Sequence, residues 1–253
     1  MTHPSSSTGG GPAPGPARDA ARPSGPAGLG VPLSVWPGLP APGSAPDGLP
    51  CGGPVTAAAA GRVIELFSRP GDLVAADSGS PAVAGAAAAA GRAVLALVSD
   101  GRRVCPLAPS AALIRLGPGG PLRAIAAGNP VTGQVTLAVA GRHGPGCCPA
   151  PGDDGPGGDD GLLYAACERL LRPGGVLAVI TASPDADSPP GSAVAAARAA
   201  GLLYAQHIVL LHAGINGERL DPGPAAPGDA AAPGGILVHS DLLVFTKPGG
   251  PRP

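Results

Sequence analysis

Residues 162–183 read LLYAACERLLRPGGVLAVITAS. Leu163, Ala166, Cys167, Leu170 and Leu171 recur at helical spacing, so the first half has one apolar face. Asp159 and Asp160 stand just upstream, where a carboxylate can accept from the orphan N–H groups of a first turn. Pro173 cannot continue a helix, and Gly174 with Gly175 supplies the backbone freedom for a sharp reversal. Val176 to Thr181 is then an unbroken apolar run rich in β-branched residues, the pattern of a strand covered on both faces. A helix, a Pro-Gly-Gly turn and a buried strand make one half of an α/β crossover.

The same alternation extends in both directions. Upstream, the pattern predicts a helix over 56–68 (TAAAAGRVIELFS), a strand over 73–76, and an alanine-rich helix to about Ala90 capped by Gly91. A strand over 93–98, a helix over 109–116, a strand over 122–127 and a strand over 135–140 follow, and 141–158 reads as a Gly/Pro/Asp loop. Downstream come a helix over 192–200, a strand over 203–211, a mobile Pro-Gly-Ala loop over 214–235 and a strand over 236–245. Strands alternating with helices argue for a parallel sheet with helices on both faces. The last two strands have no helix between them and should be antiparallel neighbours.

These residues carry a family resemblance. ERLLRPGGVLAVIT resembles the helix-turn-strand that ends in strand 5 of class I S-adenosylmethionine-dependent methyltransferases. Ser34-Val35-Trp36, the RPGDLV of 69–74 and the D-x-LVF of 241–245 narrow the likeness to actinobacterial DNA-methylase-like proteins, in patches over about 33–247. The resemblance implies a Rossmann-like α/β fold, a mostly parallel sheet of seven strands with the last one antiparallel. It also implies S-adenosylmethionine as cofactor and a nucleic acid, DNA above all, as a possible methyl acceptor.

In open α/β sheets a ligand sits beyond the carboxyl ends of the strands, where the strand order reverses. The loop after strand 1 is Asp77-Ser78-Gly79-Ser80-Pro81. It keeps the Asp and one Gly of the family's D-x-x-x-G-x-G loop, while Pro81 and Ala82 stand where further glycine is expected. Asp77 and Gly79 are therefore cofactor-binding candidates. The acid that the family places after strand 2 to bind the ribose is replaced by Leu97 or Val98, and Asp100 is the nearest substitute. Gly128-Asn129 resembles the Gly-Asp that binds the adenine amino group, and the Asn129 carbonyl can accept that bond. Each of these also reads as an ordinary turn residue. The [DNS]-P-P-[YF] clamp of DNA amino-methyltransferases has no counterpart in Ala140-Gly141-Arg142-His143; His143 is the catalytic candidate, as a base. Ser188-Pro189-Pro190 has the right letters but follows strand 5 and lacks the aromatic.

Composition sets the remaining bounds. With 253 residues, one domain over 33–247 between tails at 1–32 and 248–253 is expected. Glycine and proline, 43 and 35 residues in the whole chain, are densest in the first fifty residues, so the tail at 1–32 reads as disordered. Aromatics make up only 2 %, so the core must be built from Ala, Val and Leu, each burying little area at roughly 25 cal/mol per Å². The net charge of −1, with Arg102-Arg103 as the only adjacent basic pair, speaks against an extended nucleic-acid surface. No apolar leader or membrane-length apolar run occurs, and Cys51, Cys105, Cys147, Cys148 and Cys167 form no C-x-x-C; a cytoplasmic setting with free thiols is expected. His143 with Cys147 and Cys148 makes a poor metal site, because adjacent cysteines seldom share one tetrahedral ion. Three readings remain open: an active methyltransferase, a methyltransferase-fold protein with decayed motifs acting as a binding or scaffold protein, and another nucleotide-binding α/β protein. The last is disfavoured by the lack of a G-x-G-x-x-G after strand 1.

Overall fold

A computed structural model describes residues 31–39, 55–77, 80–99, 112–116, 131–143, 160–182, 190–216, 219–221 and 239–249. In chain order the elements are β1 (Leu33–Trp36), α1 (Ala57–Phe67), β2 (Leu73–Asp77), α2 (Pro81–Ala89), β3 (Ala93–Ser99), β4 (Ala112–Leu116), β5 (Val135–His143), α3 (Asp160–Leu170), β6 (Leu171–Ala182), α4 (Pro190–Ala199), β7 (Leu203–Leu211), β8 (Gly214–Asn216), β9 (Arg219–Asp221) and β10 (His239–Thr246).

The main sheet has the order β4-β3-β2-β5-β6-β10-β7-β1. β10 runs antiparallel to both β6 and β7, and the other ladders are parallel. The expected seven-stranded Rossmann-like methyltransferase sheet with its last strand reversed is present, and β1 adds an eighth strand at the edge. The chain builds outward through β2, β3 and β4, then returns to the other side of β2 with β5. Strand order therefore reverses between β2 and β5, which fixes where a ligand site belongs.

Alternate residues of each strand feed two cores. Val74, Ala76, Leu137, Val139, Ala178, Ile180, Leu242 and Val244 pack with α1 and α2 on one face. Ala75, Leu95, Ala138, Leu177, Val179, Leu243 and Phe245 pack with α3 and α4 on the other. Burial on both faces explains why these strands read as continuous apolar runs. Small side chains dominate, as expected; α2 buries only Val83, Ala84 and Ala87. Larger side chains include three rings in tilted contact, with Phe245 lying 6.2 Å from Tyr164 and 5.4 Å from Tyr204 between centroids.

Local signals explain the element ends. The Thr56 hydroxyl accepts from Ala59 N–H at 3.1 Å and starts α1. At its other end Arg92, at the start of β3, donates from Nε to Ser68 Oγ and from Nη2 to the Ser68 carbonyl, at 3.2 and 3.0 Å. Trp36 is 7 % exposed on β1, the edge strand, with the Arg62 guanidinium 4.5 Å over its ring.

Several boundaries differ from expectation. Residues 112–116 form β4 rather than the end of a helix, and the proposed strand over 122–127 lies outside the described residues. The β-branched Ile114 sits where the ladder to β3 outweighs weak helical spacing. β5 runs on to His143, so this histidine ends a strand instead of sitting in a loop. β8 and β9 pair as a short hairpin within the stretch expected to be loop. The Pro-Gly-Gly segment lies inside β6 rather than before it. Leu171 already pairs with Val135, and the register shifts before Leu137 meets Val176. Gly174 takes φ +75°, and a Cβ on Gly175 would lie 2.8 Å from the Arg172 carbonyl oxygen, so both positions require glycine.

Candidate functional site

β2, β3, β4, β5, β6 and β7 point their carboxyl ends to one edge of the sheet. At the centre of that edge, β2 ends at Asp77 and β5 at His143. Ala76 pairs with Val139, so β5 extends further past the edge than β2 does. The fold thus brings Asp77 and His143, two of the sequence candidates, to neighbouring strand ends. Gly79, Asp100 and Asn129 lie outside the described residues; β3 stops at Ser99, immediately before Asp100. The assignment of Asn129 assumed a strand at 122–127 just before it. The third strand of this half of the sheet is instead β4, which ends at Leu116.

Sequence reasoning passed over Ser80. It is the N-cap residue of α2, only 6 % exposed, with φ −127° and ψ 75° and no side-chain capping bond. Its Oγ is shut off from solvent and has no hydrogen-bond partner among the described residues. A buried hydroxyl left unpaired costs about 1–3 kcal/mol. Pro81 follows at the start of the helix, where a missing N–H costs least. The partly positive helix end and the buried hydroxyl lie together directly after β2, the kind of polar end that suits an acceptor-rich group. The Ser-Pro step before an alanine run was the available signal; it reads as a cap, and only the buried, unpaired oxygen adds a ligand to that reading.

Arg142 was likewise overlooked. It is half-buried next to the end of β5, and its Nη1 donates to Tyr164 Oη at 3.2 Å. Tyr164 comes from α3 and is completely buried. Nothing in the spacing of a lone arginine could have found this pair. Further along the same edge, His212 after β7 and Ser240 in β10 share a buried hydrogen bond of 2.8 Å between Nε2 and Oγ. On the opposite face of that ladder, His207 Nε2 lies 2.8 Å from Asp241 Oδ1. Burial pushes the Tyr204 hydroxyl above its ordinary pKa, helped by Asp241 and opposed by Arg198.

Among the described residues no group of three His, Cys, Asp or Glu side chains is placed to hold a metal ion. No helix among them is long and apolar enough to cross a membrane.

No family model and no curated protein matches the chain. Solved structures do. One is a TehB-like SAM-dependent methyltransferase from Corynebacterium glutamicum, at 15 % identity over 74 % of this chain and 86 % of that one, TM-score 0.42. Another is a 1,6-didemethyltoxoflavin-N1-methyltransferase from Burkholderia thailandensis, solved with 1,6-didemethyltoxoflavin and S-adenosylhomocysteine; it is 12 % identical over 75 % of this chain and 76 % of that one, TM-score 0.44. A third is the cyclase SpnF, 14 % identical over 76 % and 82 %, TM-score 0.43.

Proposed function

We propose that this chain binds S-adenosylmethionine beyond the carboxyl ends of β2 and β3 and transfers its methyl group to an acceptor held before the end of β5. The observation that carries the reading is the buried Ser80 Oγ at the start of α2, without a hydrogen-bond partner among the described residues and next to the point where strand order reverses. In this reading that hydroxyl meets a polar, acceptor-bearing part of the cofactor. Asp77 at the end of β2, Gly79 after it and Asp100 after β3 supply the remaining contacts in this reading, with Asn129 a weaker candidate for the adenine. When bound, the cofactor supplies an electrophilic sulfonium methyl. The protein's part is chiefly to position the two partners in line, with His143 at the end of β5 as the base where the acceptor carries a proton.

DNA or another nucleic acid as acceptor rests on the resemblance alone, and the net charge of −1 weighs against it. One observation favours a second reading, a binding or scaffold protein that has lost its catalysis. Leu97, one of the two residues standing where the resemblance expects an acid near the cofactor ribose, is buried in the core beneath α3 and α4. Substitution of Asp77 separates the two. Asp77→Ala should abolish binding of S-adenosylhomocysteine in calorimetry while the thermal unfolding temperature of the apoprotein holds. Unchanged affinity removes Asp77 from the site; absence of binding in the unsubstituted protein favours the scaffold.

A further inference from the structure

We propose that the outer edge of β1 pairs with β1 of a second copy of this chain, antiparallel about a two-fold axis through Ser34, so that two main sheets join into one. The proposal is independent of the cofactor reading. β1 ends the main sheet, and among the described residues its one neighbour is β7. The Pro32 carbonyl accepts from His207 N–H at 3.0 Å. Backbone groups alternate in direction along a strand. Ser34 and Trp36 therefore also face β7, while the N–H and C=O of Leu33 and Val35 point away from the sheet. Native edge strands are guarded by a charge, a bulge or a covering element. Leu33-Ser34-Val35-Trp36 carries no charge. Leu33 and Val35 are 67 % and 52 % exposed.

The pattern of the edge fixes what fits it. Ser34 and Trp36 stand in register with Ile208 and Leu210, which belong to the core under α1 and α2, so Leu33 and Val35 lie on the opposite face of the sheet. Residues directly opposite each other in an antiparallel ladder share a face. With the axis at Ser34, Leu33 of each copy opposes Val35 of the other. Leu33 N–H then donates to the opposing Val35 carbonyl and Val35 N–H to the opposing Leu33 carbonyl, and the axis repeats both bonds. The exposed leucine and valine side chains meet in the same step, an isologous contact that needs no second sequence. An axis at Val35 would set Leu33 against Pro37, which has no N–H to give, so proline selects the register. On the same face His207 stands beside Leu33, and its Nε2 lies 2.8 Å from Asp241 Oδ1. That carboxylate thus meets the second copy already partnered within its own protomer. A strand of 4 residues is far shorter than the roughly 20–30 residues a side of a standard interface, so the dimer is weak and concentration-dependent.

Sedimentation equilibrium of the full chain from about 1 to 300 µM should show the mean mass rising from one chain toward two. Amide hydrogen exchange at both ends of that range reads the edge itself. Leu33 and Val35 N–H should be protected only at the high end, and Ser34 and Trp36 N–H at both. Val35→Pro removes an outward donor that the ladder to β7 does not use. Leu33→Lys puts a cation beside the axis. Each should weaken the dimer about tenfold while the unfolding temperature of the monomer holds. Leu33→Lys combined with Val35→Glu sets opposite charges across the axis and should restore it; failure to do so rules out the axis at Ser34. A single chain at every concentration overturns the proposal and leaves the edge to a different partner. A dimer whose Leu33 and Val35 amides stay unprotected, or that survives Val35→Pro and Leu33→Lys unchanged, overturns it as well.

Discussion

Asp77 at the end of β2 lies in register with Leu97 on β3, so a candidate cofactor ligand stands directly beside a buried aliphatic residue. β3 itself runs on to Ser99, and the first acid after it is Asp100. In the proposed site a carboxylate contact to the ribose would come from Asp100, the residue after β3. Asp100→Ala should lower S-adenosylhomocysteine affinity about tenfold, the scale of one or two hydrogen bonds lost. Calorimetry reads the affinity, and the unfolding temperature should stay put.

Ser80→Ala should act with opposite sign on two measurements. Removing an unpaired buried hydroxyl relieves a cost, so apoprotein stability should rise by up to about 1 kcal/mol. Removing a ligand contact should weaken S-adenosylhomocysteine binding several-fold. A capping role alone would give the reverse on stability, a loss of about 1 kcal/mol. Denaturant unfolding of the apoprotein decides between them.

Two glycine substitutions should also diverge. A Cβ at Gly61, within α1, meets nothing within 4 Å, so Gly61→Ala should stabilise by about 0.5–1 kcal/mol. A Cβ at Gly175 would lie 2.8 and 3.0 Å from the Arg172 and Val135 carbonyl oxygens. Gly175→Ala should destabilise by about 1–3 kcal/mol, the usual cost of overpacking.

In a core short of large side chains, Phe245 joins α3 to β7 through Tyr164 and Tyr204. Phe245→Ala should cost about 3–5 kcal/mol. That is a large share of the roughly 5–15 kcal/mol that holds a typical domain together. Urea unfolding at neutral pH would measure it.

Tyr204 gives a pH dependence. Its pKa is raised in the folded state, chiefly by burial. The neutral hydroxyl is thus favoured by folding, and the associated stability is full below the unfolded value of about 10 and lost as pH rises through the folded value. Alkaline unfolding followed between pH 9 and 12 should be less steep in Tyr204→Phe than in the unsubstituted protein.

The sheet was legible because burial on both faces leaves continuous apolar runs, as at Val176–Thr181, and because the sequence between the last two long strands shows no helical spacing, which pointed to the antiparallel pairing of β7 with β10. Where local pattern and long-range pairing competed, pairing won. β4 took a segment with weak helical spacing, and Leu171 joined the ladder before Pro173-Gly174-Gly175. β1 was hidden among prolines, yet four residues sufficed to add an edge strand to β7. The site was legible only as positions at strand ends. The runs placed Asp77 and His143 in the loops just after their strands, whereas β2 and β5 end on them; the Ser80 hydroxyl and the Arg142–Tyr164 bond depend on burial and on contacts distant in sequence, which spacing does not encode.

The central claim, that the edge beyond β2 and β3 holds S-adenosylmethionine, is tested most directly by calorimetric titration of the full chain with S-adenosylmethionine and, in parallel, with NAD. The account predicts saturable, micromolar binding of the first and no heat from the second. No heat and no thermal stabilisation with S-adenosylmethionine, on a folded sample, would contradict it.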